Sequence, residues 1–237
     1  MQHKGRPVNQ SQPPGAQEET LCQQICEVGR SLFERGYVHA TAGNISARFG
    51  DGFLITPTDA CLGRLQPQLL ARVGADGVQT SGDPASKTLA LHRRIYEADP
   101  KAGSVIHTHS THLVALTLRG VWREEDIVPP ITPYFVMKVG HVPLIPYHRP
   151  GDPKVGDLVF EHIRQMAAQG KSPRAVMLDR LGPNVWHHTP AQASAVLEEL
   201  EETARLWLLC QPPATAAPDA LPEQAIEALR KQFGANW

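Results

Sequence analysis

Thr41-Ala42-Gly43-Asn44-Ile45-Ser46-Ala47-Arg48-Phe49-Gly50-Asp51-Gly52-Phe53-Leu54-Ile55-Thr56-Pro57-Thr58 is the stretch that decides how this chain folds. Residues 44–49 and 53–56 read as two short strands. The Asp51-Gly52 pair between them is a strong hairpin signal, because tight hairpin turns need residues that tolerate positive φ. A second Asp-Gly pair, Asp76-Gly77, separates Ala71-Arg72-Val73 from Val78-Gln79-Thr80. Further strands are expected over Ser104–His109, Pro143–Tyr147, Arg174–Leu178 and Asn184–His187. Leu21, Ile25, Val28 and Leu32 recur at helical spacing, with Gly36 placed as a C-terminal cap. Helices are also expected over Thr88–Ala98, with Ser86 as its cap, and over Thr111–Leu118 and Asp157–Ala168. Tyr134–Val139 reads as strand or helix. Thr189-Pro190 opens a long helix with Val196, Leu200, Thr203 and Trp207 on one stripe. Hairpins come early and no strict strand–helix alternation follows, so the expected class is α/β, with a mixed sheet covered by helices.

The rest of the chain bounds what this fold can serve. Its 237 residues predict one to two domains at roughly 150 residues each, and no internal linker divides them. Residues 1–17 are Gln/Pro/Gly-rich and read as a disordered lead-in. Residues 18–211 are the folded domain, and 212–237 a Pro/Ala linker ending in a short helix over Glu223–Phe233. Hydrophobic residues at 41% and charged residues at 20% are ordinary for a soluble protein. A net charge of -1 argues against nucleic acid, whose binders carry a basic excess. No apolar run approaches the roughly 20 residues of a membrane helix, and the N-terminus lacks the apolar core of a secretory signal. The four cysteines, 22, 26, 61 and 210, form no Cys-x-x-Cys pair. Reduced thiols in a cytoplasm are therefore expected.

Eleven histidines say where chemistry should be sought. His107-Thr108-His109 ends an apolar strand, where residues i and i+2 share a face, so two imidazoles can hold one divalent ion. Chance histidines at a solvated strand end are the ordinary alternative. Gly43-Asn44 can turn backbone amides and an Asn side chain toward an anion, or can be a plain turn. Ala85-Ser86-Lys87-Thr88 opens a helix, a natural place for a phosphate or carboxylate, or simply a capped start with a solvated lysine. Tyr147 to Asp152 reads as a polar turn.

Taken together, Thr41-Ala42-Gly43-Asn44-Ile45-Ser46, then Ile55-Thr56-Pro57-Thr58, then Ser86 before a helix, then His107-x-His109, resemble the class II aldolase/adducin family in order and spacing. The resemblance runs from about Leu21 to Gln211. Phe33-Glu34-Arg35-Gly36-Tyr37, Pro133 to Gly140, Arg149-Pro150-Gly151-Asp152 and Leu197 to Ala204 look most like its 3-oxo-tetronate 4-phosphate decarboxylase branch. The resemblance implies a single domain whose central sheet is largely antiparallel with helices on both faces. It implies a divalent metal, most often zinc, on His107, His109 and a third histidine, and a substrate phosphate on Asn44, Thr58 and Ser86. It also implies a tyrosine from a neighbouring subunit as proton donor, matched by Tyr134, and a homotetramer.

Two positions depart from the family pattern. Thr88, preceded by Lys87, stands where many members carry a metal-side glutamate. Leu181 stands where the third metal histidine is usual, which leaves His141 and His148 as possible replacements. Loss of CO2 from a β-keto acid needs no base. It needs a cation to seat the carboxylate and a donor to protonate the enediolate, so Thr88 with Lys87 suits decarboxylation better than aldol cleavage. The expected activity is that of a metal-dependent lyase, a decarboxylase acting on a phosphorylated sugar acid and giving dihydroxyacetone phosphate and CO2. A sugar-phosphate aldolase or epimerase is the alternative enzyme, and a non-catalytic adducin-like interaction module the alternative of another kind.

Overall fold

The computed structural model describes residues 14–211 and 223–237. Among them, eight strands form one sheet: β1 (Asn44–Phe49), β2 (Gly52–Ile55), β3 (Ala71–Val73), β4 (Gln79–Ser81), β5 (Ser104–His107), β6 (Leu144–Ile145), β7 (Ala175–Leu178) and β8 (Gly182–His187). Their order across the sheet is β4-β3-β2-β1-β5-β8-β7-β6. Neighbours run antiparallel except β6 and β7, which are parallel. The helices are α1 (Pro14–Glu34), α2 (Leu89–Ala98), α3 (Thr111–Arg119), α4 (Pro133–Lys138), α5 (Lys154–Ala168), α6 (Pro190–Leu209) and α7 (Glu223–Phe233).

The period of two along each strand sorts side chains to two cores. Ile45, Ala47, Leu54, Ile106, Met177 and Val185 pack with Ile25 and Leu32 of α1, Leu113 of α3, and Leu197 and Leu200 of α6. Phe53, Ile55, Val105, Val176 and Trp186 pack on the other face with Leu89 and Ile95 of α2 and Val159 and Ile163 of α5. Helices therefore cover both faces of a mixed, largely antiparallel sheet. Each fully buried Leu or Ile contributes about 1.5–3 kcal/mol, so neither layer is expendable.

Several local expectations meet a physical correction. Helix α1 begins at Pro14, so residues 14–17 are helical and not part of an unstructured lead-in. Ala16, Gln17, Glu18 and Glu19 lack an apolar period but are good helix formers, and extending an existing helix is easy. Glu18 also pairs with Arg72 at 2.9 Å. The remainder of the expected lead-in and the Pro/Ala linker fall outside the described residues. Tyr134–Val139 resolves as helix: Thr132 caps it by accepting from the Phe135 N–H at 3.1 Å, and Pro133 sits in its first turn. Strand β5 stops at His107, two residues short of expectation, as the chain turns toward α3. Ser86 stands ahead of α2 rather than capping it, with Thr88 as the flanking residue. No helix among the described residues is long and apolar enough to cross a membrane.

Candidate active site

The register of three strands assembles the site. Asn44 of β1 lies opposite His107 of β5, and His107 lies opposite Asn184 of β8. Residues directly opposed in a ladder project to the same face, so these three side chains line the α2 side at one end of the sheet. Two glycines let the flanking loops close on this segment. A Cβ on Gly43, at φ +84°, would lie 2.9 Å from the His107 carbonyl oxygen, and one on Gly182, at φ +118°, 2.0 Å from that of Thr108. Only glycine fits either place.

His107 is buried, and its Nδ1 lies 2.9 Å from the Pro183 carbonyl. A carbonyl only accepts, so Nδ1 donates and Nε2 is left with its lone pair, the arrangement a metal-binding imidazole needs. Burial, followed by the neighbouring His109, pushes His107 down to about 4, which keeps it neutral. His109 is half-buried and lowered too, first by burial and then by His39. The rings of His107 and His109 are 5.1 Å apart, edge to face, and His39 stands 6.4 Å from His109.

Beneath them, Ser46 Oγ lies 2.8 Å from both His92 Nδ1 and the Tyr96 hydroxyl, and all three groups are buried. Burial, and then the nearby His107, lowers His92 to about 3. Four atoms in this region are buried without a hydrogen-bond partner: Asn44 Oδ1, His92 Nε2, and both Oδ1 and Nδ2 of Asn184. Buried polar atoms in native structures are nearly always paired, so this set marks a place for something polar.

The loops that carry Thr58 and Ser86 are tied together. The Thr58 N–H donates to Pro84 O at 2.9 Å, and the Ser86 N–H to Thr56 O at 3.2 Å. Thr56, buried, accepts from the Ile45 N–H at 3.1 Å, which holds this loop against the Asn44 strand. Ser86 and Thr88 hydroxyls meet at 2.8 Å, while Lys87 and Thr58 are exposed. A cleft of about 410 Å³ beside Thr58 is lined by Asp59, Cys61, Arg64 and Asp83. Among the described residues three non-glycine residues adopt left-handed backbone, Ala40, Asp59 and Arg180, each in a loop flanking these groups. Such strain is concentrated at functional sites. A second cleft, of about 390 Å³, lies at the other end of β5 and β8 beside Lys101, Arg174 and His187, away from His107.

Other expected residues do not join the pair. His141 is held by Asp126 at 2.8 Å and stacks on Trp237 at 4.5 Å. His148 faces Asp152 at 3.5 Å. Among the described residues no three His, Cys, Asp or Glu side chains are grouped to hold a metal. Leu181 itself packs against the α2/α5 core. Tyr134 on α4 is 63% exposed and points away from its own core.

Residues 23–208 match the family model of the Class II Aldolase and Adducin N-terminal domain. The chain belongs to the class II aldolase/adducin family. It is 55% identical to a 3-oxo-tetronate 4-phosphate decarboxylase of Cupriavidus necator, over 93% of this chain and 99% of that protein. It is 40% identical to one of Escherichia coli K12, over 80% and 86%. Among solved structures, YgbL from Klebsiella pneumoniae, described as an aldolase/epimerase/decarboxylase, superposes with TM-score 0.78 at 37% identity, covering 90% of this chain and 99% of that one.

Class II aldolase-family enzymes generally depend on a divalent metal. His107 and His109 fit such an ion as neutral imidazoles, and the unpartnered amide oxygens of Asn44 and Asn184 lie on the strands flanking β5. A set of three His or acidic ligands is absent among the described residues. Sequence reading missed His92, Asn184, His39 and Glu201. A polar residue inside an otherwise apolar strand was the available signal for Asn184. Glu201 gave no such signal, because it sits among Glu198, Glu199 and Glu202 in an acidic run.

Proposed function

We propose that this protein is a cytoplasmic carboxy-lyase that removes CO2 from a 3-oxo-tetronate 4-phosphate, giving dihydroxyacetone phosphate. The observation that carries the choice over aldol cleavage is the Ser86-Lys87-Thr88 turn. A hydroxyl pair and an exposed ammonium occupy the position where an aldolase needs a carboxylate. A carboxylate there would repel the departing one. Full-length similarity to the decarboxylase of Cupriavidus necator supports the same reading.

Asn44, Thr58 and Ser86 bind the substrate phosphate, and Lys87 seats the carboxylate by charge. The C1–C2 bond breaks, CO2 leaves, and its electron pair passes to C2 and the ketone oxygen as an enediolate. Tyr134 of a neighbouring subunit in a homotetramer delivers the proton to C2, with Lys87 as the second candidate donor. His107 and His109 would hold a divalent ion, zinc in the first instance, which when bound supplies Lewis-acid stabilisation of the developing oxyanion. Lys87→Ala is expected to lower kcat/KM for decarboxylation at least about tenfold, the loss of one charge-assisted contact. A full rate in that variant rules out the carboxylate anchor. Thr88→Glu is expected to slow CO2 release as well. Cleavage of a ketose 1-phosphate to dihydroxyacetone phosphate and an aldehyde, without CO2 release from the keto acid, would favour the aldolase instead.

A further inference from the structure

Asn184 is a polar residue at this end of the sheet that none of these roles uses. It lies between Pro183 and Val185 in β8, has no solvent exposure, and neither atom of its amide has a partner. An unpaired buried polar group costs about 1–3 kcal/mol, and strands disfavour asparagine. A valine here would carry neither penalty. The placement is specific as well. Asn184 is the cross-strand neighbour of His107 on the same face, and Pro183, the residue before it, supplies the carbonyl that orients His107. One dipeptide thus fixes the imidazole's tautomer and sets an amide beside it. Leu181, three residues earlier, has no donor to offer.

We propose that Asn184 Oδ1 is the oxygen ligand that completes the divalent-ion site of His107 and His109, in place of a histidine at position 181. The inference rests on the metal reading given under the proposed function. Two imidazoles and an amide oxygen are all neutral, so a bound ion keeps its full double charge for an anionic substrate. Amide oxygen is a harder donor than imidazole. Manganese(II) should therefore compete with zinc(II) better here than at a site of three imidazoles.

Calorimetric titration of the chelator-dialysed full-length protein with MnCl2 and with ZnCl2 tests this without reference to activity. The wild type should bind one ion per chain. Asn184→Val should weaken binding at least about tenfold, the scale on which metal-site partners act, while melting no lower than wild type in metal-free form. Asn184→Asp should bind as tightly as wild type or more so, because it keeps the oxygen and adds charge. A valine variant that binds like wild type, or an aspartate variant that binds no better than valine, overturns the assignment and leaves the metal reading standing. A wild-type protein that takes up neither ion at millimolar concentration overturns both.

Discussion

Glu201 and Asn184 are both polar side chains with almost no solvent access, and the fold treats them in opposite ways. The Glu201 carboxylate accepts from the His112 N–H at 2.9 Å, the His112 ring at 2.8 Å and the Leu113 N–H at 3.1 Å. Burial pushes its carboxyl above the usual range, and these hydrogen bonds pull it back. In effect α6 lends a side chain to cap the first turn of α3, where helix donors have no partner of their own. That cap fixes the segment following His107 and His109. Asn184, at the far side of the same segment, has four hydrogen-bonding valences and uses none. A saturated buried group holds the frame, and an unsaturated one waits for a ligand.

The contrast can be broken by mutation. Glu201→Ala strands the buried Leu113 N–H and the half-buried His112 N–H, and is expected to lower the unfolding free energy by about 3 kcal/mol in urea. A loss under about 1 kcal/mol would remove Glu201 from the frame. Ser46→Ala leaves His92 Nδ1 and the Tyr96 hydroxyl buried without their shared partner, and about 2 kcal/mol should be lost. Asn184→Val should move the other way, with the metal-free protein gaining about 1 kcal/mol. A marked loss there would make Asn184 structural like Glu201.

The smallest effect is in pH. His92 and His107 sit at about 3 and about 4, against 6.5 when unfolded, so the unfolded chain binds more protons between those values. Their stabilising contribution is complete above 6.5 and declines as pH falls toward 4. Between pH 7 and pH 6 the loss is about 0.7 kcal/mol for each histidine. His92→Gln should flatten that part of the profile in metal-free protein. An unchanged slope would mean that His92 is not held neutral by burial.

Features whose cause is local were open to reading. The Asp51-Gly52 turn, the Thr189-Pro190 helix start and the alternation along β1 and β5 all carry their explanation within a few residues. The pairing of Asn44 with His107 was reachable only as a shared place in a family pattern, since sixty-three positions separate them in the chain. What tertiary contact decides was not legible. Glu201 sits in Glu198-Glu199-Leu200-Glu201-Glu202, which reads as a solvated acidic face until α3 is laid against it. His141 and His148 looked available for the site because nothing nearby in sequence showed Asp126 and Trp237 closing on one and Asp152 facing the other.

The most direct measurement is product stoichiometry with 3-oxo-tetronate 4-phosphate. Wild-type protein should release CO2 and dihydroxyacetone phosphate in equal amounts with no aldehyde, and His107→Ala should release neither above background. Consumption of the acid without CO2, or a His107→Ala variant with undiminished turnover, would contradict a carboxy-lyase centred on this end of the sheet.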